Sequence, residues 1–130
     1  MRLQLALNVR DMDRAVEYYS RLFGTAPHKR RPGYANFAID QPPLKLVLFE
    51  NPGAADRLNH LGVEVLEAEE LENAARRLHE VGIADSGLAA ETCCHAVQDK
   101  IWSTAPDGEE WEWYRITDDR PAPLQDACCA

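Results

Sequence analysis

Two pairs of adjacent cysteines are the residues of this 130-residue chain best suited to chemistry. Cys93 and Cys94 lie in the segment Glu-Thr-Cys-Cys-His-Ala, and Cys128 and Cys129 directly precede the last residue, Ala130. These four residues are all the cysteines of the chain. Thiolates are polarisable donors that prefer Cd(II), Zn(II), Cu(I) or trivalent arsenic to hard cations. The pairs therefore predict binding of a soft metal or metalloid. A plainer interpretation stays open, with Cys93 and Cys94 as ordinary strand residues and the second pair incidental, because free cysteine is a common buried hydrophobe.

Length and charge limit the classes of partner. A chain of 130 residues is about one domain long. Its net charge of -8 repels phosphate backbones and anionic lipid, so we expect neither a nucleic acid partner nor a membrane partner. We expect no targeting segment and therefore a cytoplasmic location, where thiols stay reduced. The cysteine pairs agree with this location, because adjacent cysteines close almost no loop and make poor structural disulfides.

The elements that must position these groups begin with an alternating strand over residues 2–9. Asp11 or Asp13 can cap an amphipathic helix that runs to Phe23, and Gly24 is placed to end it. Residues 34–40 and 44–50 are predicted strands joined through two prolines. One face of the first strand is apolar and the other is formed by small or polar residues: Leu3, Leu5, Leu7 and Val9 against Gln4, Ala6 and Asn8.

The same order of elements restarts at residue 58. Residues 58–65 alternate again, residues 69–81 form a second amphipathic helix with Gly82 as its stop, and strand-like segments follow at 94–98, 101–104 and 111–116. We therefore predict an α+β fold of two tandem βαβββ modules, about 1–55 and 56–116. Their curved sheets would form a cupped mixed sheet around a metal cavity with the helices outside. Residues 117–130 would be a flexible cysteine-containing tail.

Three polar side chains on the predicted inner faces could hold a divalent metal. Gln4 and His60 occupy equivalent positions on the first strands of the two modules, and Glu112 shares a face of the last strand with Tyr114. An amide oxygen, an imidazole nitrogen and a carboxylate oxygen would leave coordination positions for water or substrate, which catalysis requires. An inward histidine in a strand is, however, commonly a hydrogen-bonded core residue.

Several segments of residues 2–116 resemble the vicinal oxygen chelate superfamily, which includes glyoxalases, bleomycin-resistance proteins and extradiol dioxygenases. Within it the chain is most similar to the arsenic-inducible carbon-arsenic lyases and the cadmium-induced proteins. The most specific likeness is the spacing from Thr-Cys-Cys to Gln-Asp-Lys-x-Trp. The segments that share the likeness are residues 18–24, 32–37, 42–48, 59–65, 92–94, 98–102 and 106–112.

The resemblance implies a divalent metal held by His60 and Glu112, and a thiol pair at Cys93 and Cys94 that captures trivalent organoarsenicals or cadmium. Lyase-like members have histidine at the position of Gln4, which suits Fe(II) and dioxygen. Glutamine there is similar to glyoxalases and cadmium-induced proteins. The implied metal is Fe(II) for a dioxygenase, and otherwise Zn(II), Ni(II) or Cd(II).

Three functions stay open on the sequence. The first is a resistance protein that binds the arsenical and cleaves its carbon-arsenic bond with dioxygen. The second is a non-catalytic cadmium- or arsenite-binding protein in which Cys128 and Cys129 join Cys93 and Cys94. The third is a glyoxalase-like lyase, which leaves the cysteines unexplained. We expect a small molecule or metal as ligand and a homodimer, which the superfamily often forms.

Overall fold

Ten secondary-structure elements make up the described part of the chain. The structure is a computed structural model that describes residues 1–93 and 96–119, without the side chains of Thr92 and Cys93. Two compact units are resolved, residues Arg2–Leu61 and the residues from Gly62 onward. The elements in chain order are β1 (Arg2–Val9), α1 (Met12–Phe23), β2 (Lys29–Arg31), β3 (Tyr34–Ile39), β4 (Leu44–Glu50), β5 (Leu58–Glu64), α2 (Ala68–Glu80), β6 (Ala89–Cys93), β7 (Ala96–Thr104) and β8 (Glu110–Asp118).

The N-terminal unit is a sheet with the strand order β2-β3-β4-β1. The β1 and β4 strands are parallel, whereas β2 with β3 and β3 with β4 are antiparallel. Parallel pairing needs a long crossover, and α1 lies within the connection from β1 to β4. The register places Gln4 directly beside Lys45 on the neighbouring strand. Because side chains alternate, Gln4 and Asn8 share the same face of β1.

Helix α1 covers the other face of this sheet. Asp11 accepts a hydrogen bond from the backbone of Arg14 at the start of the helix, and Gly24 ends it with a φ of 65°, a conformation that glycine adopts without strain. Met12 and Val16 of the helix are buried in one apolar cluster with residues of β3 and β4: Ala35, Phe37, Ile39, Leu46 and Leu48. Leu5, Leu7 and Val9 of β1 pack against this cluster, as their alternation predicts, whereas Leu3 is exposed.

The C-terminal unit has the strand order β8-β7-β6, and both pairs are antiparallel. The last residues of the β5 segment lie beside β8, since the backbone N–H of Val65 donates to the carbonyl of Tyr114. Helix α2 buries Leu71 and Leu78 against Val65 and Ile101, and Trp113 packs on the edge of this cluster. The indole ring of Trp113 also lies 5.0 Å under the Arg77 guanidinium. Trp113 therefore faces the helix, on the opposite face of β8 from Glu112.

The α+β class and the two helices are confirmed, but one set of strand boundaries was wrong. The predicted strands at 94–98 and 101–104 belong to the single strand β7, and the sequence pattern missed β6. The predicted gap coincides with two adjacent charged residues, Asp99 and Lys100, of which Lys100 is buried in the strand. Strand β8 extends to Asp118, two residues into the segment predicted as tail, and residues 120–130 lie outside the described part. Neither described helix is long and apolar enough to span a membrane.

Candidate metal centre

Gln4 and His60 meet in the N-terminal unit, as the repeat predicted. Gln4 is 5% exposed on β1, and its Nε2 atom lies 3.0 Å from Nε2 of His60 at the start of β5. The two residues are 56 positions apart in sequence. The pairing therefore results from the adjacency of the two strands.

The other ring nitrogen of His60 has a defined partner. Nδ1 lies 2.8 Å from Oδ1 of Asn59, the preceding residue. The His60 ring also lies against Phe49, with ring centroids 6.4 Å apart. A histidine that ligates a metal through one nitrogen usually donates through the other, and this contact fixes the ring orientation. The surroundings of His60 thus match those of a ligating histidine.

Other buried polar residues share the face of the sheet that holds Gln4. Lys45 is 4% exposed and Asn36 is 3% exposed. The Asn36 amide donates to the Tyr34 hydroxyl at 2.9 Å, whereas Oδ1 of Asn36 is buried with no hydrogen-bond partner among the described residues. Buried polar groups occur mainly where a structure makes use of them, because each costs desolvation free energy. This face of the N-terminal unit therefore holds buried polar groups among apolar neighbours such as Val47 and Phe49.

Glu112 is buried in the C-terminal unit and forms an ion pair. Its Oε2 atom lies 3.0 Å from Nζ of Lys100 on the neighbouring strand, and both side chains are 3% exposed. The Lys100 ammonium also lies 5.4 Å from the Trp102 ring centroid. Glu110, which shares the parity of Glu112, is exposed. The Glu112 carboxylate is therefore buried, and Lys100 is placed to neutralise it.

The donor set fits a divalent metal in its chemistry. His60 offers a nitrogen ligand, and rotation of the terminal amide of Gln4 exchanges Nε2 for Oε1 beside it; this torsion is roughly two-fold. The described residues contain no cluster of three or more His, Cys, Asp and Glu side chains. Gln4 and His60 are therefore the two predicted ligands that the structure brings together, and the ligand roles of Gln4, His60 and Glu112 stay predictions.

The cysteine predictions fall largely outside the described residues. Cys93 is the last residue of β6 and pairs with Ala96 of β7 in the antiparallel register. The side chain of Cys93 and all of Cys94, Cys128 and Cys129 lie outside the description. The thiol clamp therefore stays a prediction.

Sequence reasoning missed two partners of the candidate ligands. Lys100 could have been found, because the alternation of β7 and β8 around the turn at Gly108 brings it to the same face as Glu112. Asn59 gave no usable signal. Adjacent residues of a regular strand point to opposite faces, so nothing in the sequence predicts that Asn59 contacts His60.

Comparisons with known proteins identify the family of this chain. A sequence model of the glyoxalase/bleomycin resistance protein/dioxygenase superfamily matches residues 3–113. The chain is 54% identical to the cadmium-induced protein CadI of Mycobacterium tuberculosis over 91% of this chain and 78% of that protein. It is 53% identical to a trivalent organoarsenical cleaving enzyme of Thermomonospora curvata, over 98% of this chain and 87% of that enzyme.

The fold is also similar to that of a solved glyoxalase. The Mn(II)-bound glyoxalase from Novosphingobium aromaticivorans superposes with a TM-score of 0.62 at 14% identity, over 95% of this chain and 40% of that one. Superfamily members commonly bind divalent metals. On the match to residues 3–113 and the identity to both relatives, the chain belongs to the glyoxalase/bleomycin resistance protein/dioxygenase superfamily.

Proposed function

We propose that this protein confers resistance to heavy metals or metalloids by binding a trivalent organoarsenical through Cys93 and Cys94 beside a divalent metal, and that it cleaves the carbon-arsenic bond with dioxygen. The main support is His60, whose Nε2 lies against Gln4 while Nδ1 is hydrogen-bonded to Asn59. The 53% identity to a trivalent organoarsenical cleaving enzyme supports trivalent organoarsenicals as the proposed substrate class.

The ligand assignment combines the structure with the family pattern. Gln4 and His60 provide an amide oxygen and an imidazole nitrogen. Glu112 is assigned to the same metal on the family resemblance, with Lys100 holding one of its oxygens at 3.0 Å. A metal held by such an open set of ligands supplies Lewis-acid chemistry or, as Fe(II), activation of dioxygen.

The protein side chains position the reacting bond. Two thiolates that replace the oxygen ligands of a methyl- or aryl-arsenite would hold arsenic firmly, since arsenic(III) is thiophilic. The reaction of one methylarsenite with one dioxygen to give one arsenite and one formaldehyde is balanced in atoms and electrons. The net reaction therefore needs no other reductant. The role of Cys93 and Cys94 is to hold the arsenical in one orientation while the bond breaks.

The test measures release of arsenite from methylarsenite by the Fe(II)-loaded protein, with and without oxygen. We expect oxygen-dependent release that is lost in Cys93→Ser and in Glu112→Ala. Glu110→Ala controls for the loss of an exposed carboxylate on the same strand, and urea unfolding must show that Glu112→Ala, which leaves the Lys100 ammonium buried without this carboxylate, is still folded. Release that is absent, or that proceeds without oxygen, would contradict the dioxygenase-type cleavage.

A second function, sequestration without turnover, is favoured by one residue. Gln4 offers an amide oxygen, a weaker donor for Fe(II) than imidazole. The chain is also 54% identical to a cadmium-induced protein. In this case Cys93, Cys94, Cys128 and Cys129 would complete a tetrahedral thiolate site. Cadmium binding with no arsenite release under any condition would select this function over the first.

A further inference from the structure

A chain of amide hydrogen bonds reaches His60 from a backbone carbonyl of the same unit. We infer that Asn59, anchored by Asn8, is a positioning residue that holds His60 in the tautomer with the proton on Nδ1, so that Nε2 presents its lone pair to a metal. The inference rests on the proposed role of His60 as a ligand. It assigns a function to two asparagines that are not themselves ligands.

This series of hydrogen bonds begins at the backbone carbonyl of Asp56, which can accept a hydrogen bond but cannot donate one. The backbone carbonyl oxygen of Asp56 lies 3.0 Å from Nδ2 of Asn8. A carbonyl oxygen has no proton, so the Asn8 amide must present its NH₂ group to Asp56 and its oxygen to the other side. That oxygen lies 3.0 Å from Nδ2 of Asn59. The orientation of the first amide therefore determines the orientation of the second.

The amide of Asn59 then determines which ring nitrogen of His60 carries the proton. With Nδ2 of Asn59 donating to Asn8, its Oδ1 faces Nδ1 of His60 at 2.8 Å. An amide oxygen accepts, so Nδ1 must donate and carries the proton. The neutral ring then has its lone pair on Nε2, where the N–H of Gln4 donates to it at 3.0 Å. Both ends of the chain agree on the same tautomer.

The opposite tautomer requires every link to reverse. A proton on Nε2 would pair with the Gln4 oxygen, and Nδ1 would then accept from a reversed Asn59 amide. The oxygen of Asn59 would in turn need the NH₂ group of Asn8, which would leave the Asn8 oxygen 3.0 Å from the carbonyl oxygen of Asp56. Two acceptors without a proton repel at this distance. The Asp56 carbonyl therefore favours the hydrogen-bond direction that puts the His60 proton on Nδ1 over the reversed direction that puts it on Nε2.

The first link is held by backbone contacts. The N–H of Asn8 donates to the carbonyl of Arg57 at 2.7 Å, and the Arg57 guanidinium donates to the carbonyl of Asn8 at 3.2 Å. Asn8 is 7% exposed, whereas Asn59 is exposed. A single bond at an exposed site competes poorly with water, but Asn59 is fastened at both its oxygen and its nitrogen. The buried end thus orients the exposed end.

The tautomer matters because only an unprotonated nitrogen can ligate. If Nε2 carried the proton, binding would require the proton to move or the ring to turn. Removal of such outer partners of a ligating histidine typically lowers metal affinity about 10- to 100-fold. Asn59 should make a contribution of that size without touching the ion.

The test has two arms and three variants. Asn59→Leu removes both the acceptor and the donor, Asn59→Asp keeps an acceptor for Nδ1–H but loses the donor to the Asn8 oxygen, and Asn73→Leu is the control at an exposed asparagine of α2. Long-range ¹H–¹⁵N NMR of the metal-free protein reports the tautomer of His60. We expect Nδ1–H in the wild type, the control and Asn59→Asp, and a shift towards Nε2–H in Asn59→Leu. A wild type with Nε2–H, or an unchanged Asn59→Leu spectrum, would overturn the inference.

The second arm is a Mn(II) titration, since Mn(II) prefers oxygen and nitrogen ligands to the thiolates. We expect Asn59→Leu to bind about 10- to 100-fold more weakly than the wild type, with Asn59→Asp restoring affinity. Unchanged affinity of Asn59→Leu would overturn the positioning role toward the metal. A wild type that shows Nδ1–H but binds no divalent metal would instead refute the proposed function, and the control of the tautomer by Asn59 would stand.

Discussion

The Lys100 ammonium and the Glu112 carboxylate are joined at 3.0 Å across neighbouring strands, in a position where each side chain is 3% exposed. The pair lies diagonally in the register, because Lys100 is opposite Tyr114 and Glu112 is opposite Trp102. Burial of two charges costs desolvation free energy that their mutual attraction offsets.

Substitution of Lys100 by methionine should destabilise the protein strongly. The variant keeps the Glu112 carboxylate buried but removes the ammonium, and breaking a buried pair in this way costs about 3–5 kcal/mol. The double variant Lys100→Met with Glu112→Leu should recover much of the loss, since neither charge is then buried. Urea unfolding of the two variants measures this, and an equal loss in both would contradict an energetic coupling of the pair.

Replacement of Gln4 by histidine should strengthen binding of Fe(II). Imidazole is a better donor than an amide oxygen for this ion, and the site would become two histidines and a carboxylate. We expect about a tenfold gain in affinity, about 1.4 kcal/mol. Anaerobic Fe(II) titration measures the change, with Gln4→Leu as the matched variant that loses affinity. Equal affinities for wild type, Gln4→His and Gln4→Leu would show that residue 4 is not a ligand.

Removal of residues 120–130 should weaken cadmium binding if the second cysteine pair joins the first. A tethered pair of thiols acts at a high effective concentration, so its loss should cost about a hundredfold in affinity. Titration with Cd(II) compares the truncated chain with the full chain. The double variant Cys128→Ser with Cys129→Ser is the control and should match the truncation. Affinity that is unaffected by either change would restrict binding to Cys93 and Cys94.

The stability of the N-terminal unit should fall in alkaline solution through Tyr19. Burial raises the pKa of Tyr19 above its ordinary value of 10.0, and Tyr18 adds a smaller increase. The phenol packs against Phe23, with centroids 6.4 Å apart. Because the folded pKa is the higher one, this stabilisation is complete below pH 10.0 and is lost as the pH rises through the folded value.

Tyr19→Phe isolates this effect. The variant cannot ionise at residue 19, so its unfolding free energy should decline less steeply than that of the wild type above pH 10.0. Urea unfolding at neutral and alkaline pH measures the two slopes, and Tyr18→Phe, which removes only the smaller cause of the raised Tyr19 pKa, should change the slope less than Tyr19→Phe does. Parallel curves for the wild type and Tyr19→Phe would contradict the assignment.

Much of the fold was predictable because local patterns determined it. The β1 and β4 boundaries were predicted to the residue, and Asp11 and Gly24 mark the limits of α1 as their capping chemistry indicates. The pattern failed between residues 89 and 104. There the segment Ala89–Cys93 has no alternation of large apolar and polar residues, so β6 was missed, and β7 was divided at the adjacent charged residues Asp99 and Lys100.

The candidate site was predictable where parity is enough. Alternation placed Gln4 on the buried polar face of β1 and Glu112 on the buried face of β8, and the repeat matched Gln4 with His60. The alternation of side chains could not predict the contact between Asn59 and His60. Adjacent residues of a regular strand point to opposite faces, and this contact departs from that rule.

The sequence by itself determined the two βαβ-type repeats, the superfamily and the residue types available to a metal, because periodicity, caps and motifs are local properties of a chain. The tertiary structure alone decided which atoms meet. It placed Lys100 against Glu112, and it oriented Asn8 and Asn59 from the Asp56 carbonyl so that His60 has its lone pair on Nε2. Hydrogen-bond direction depends on distances between residues far apart in sequence, and only the folded chain sets those distances.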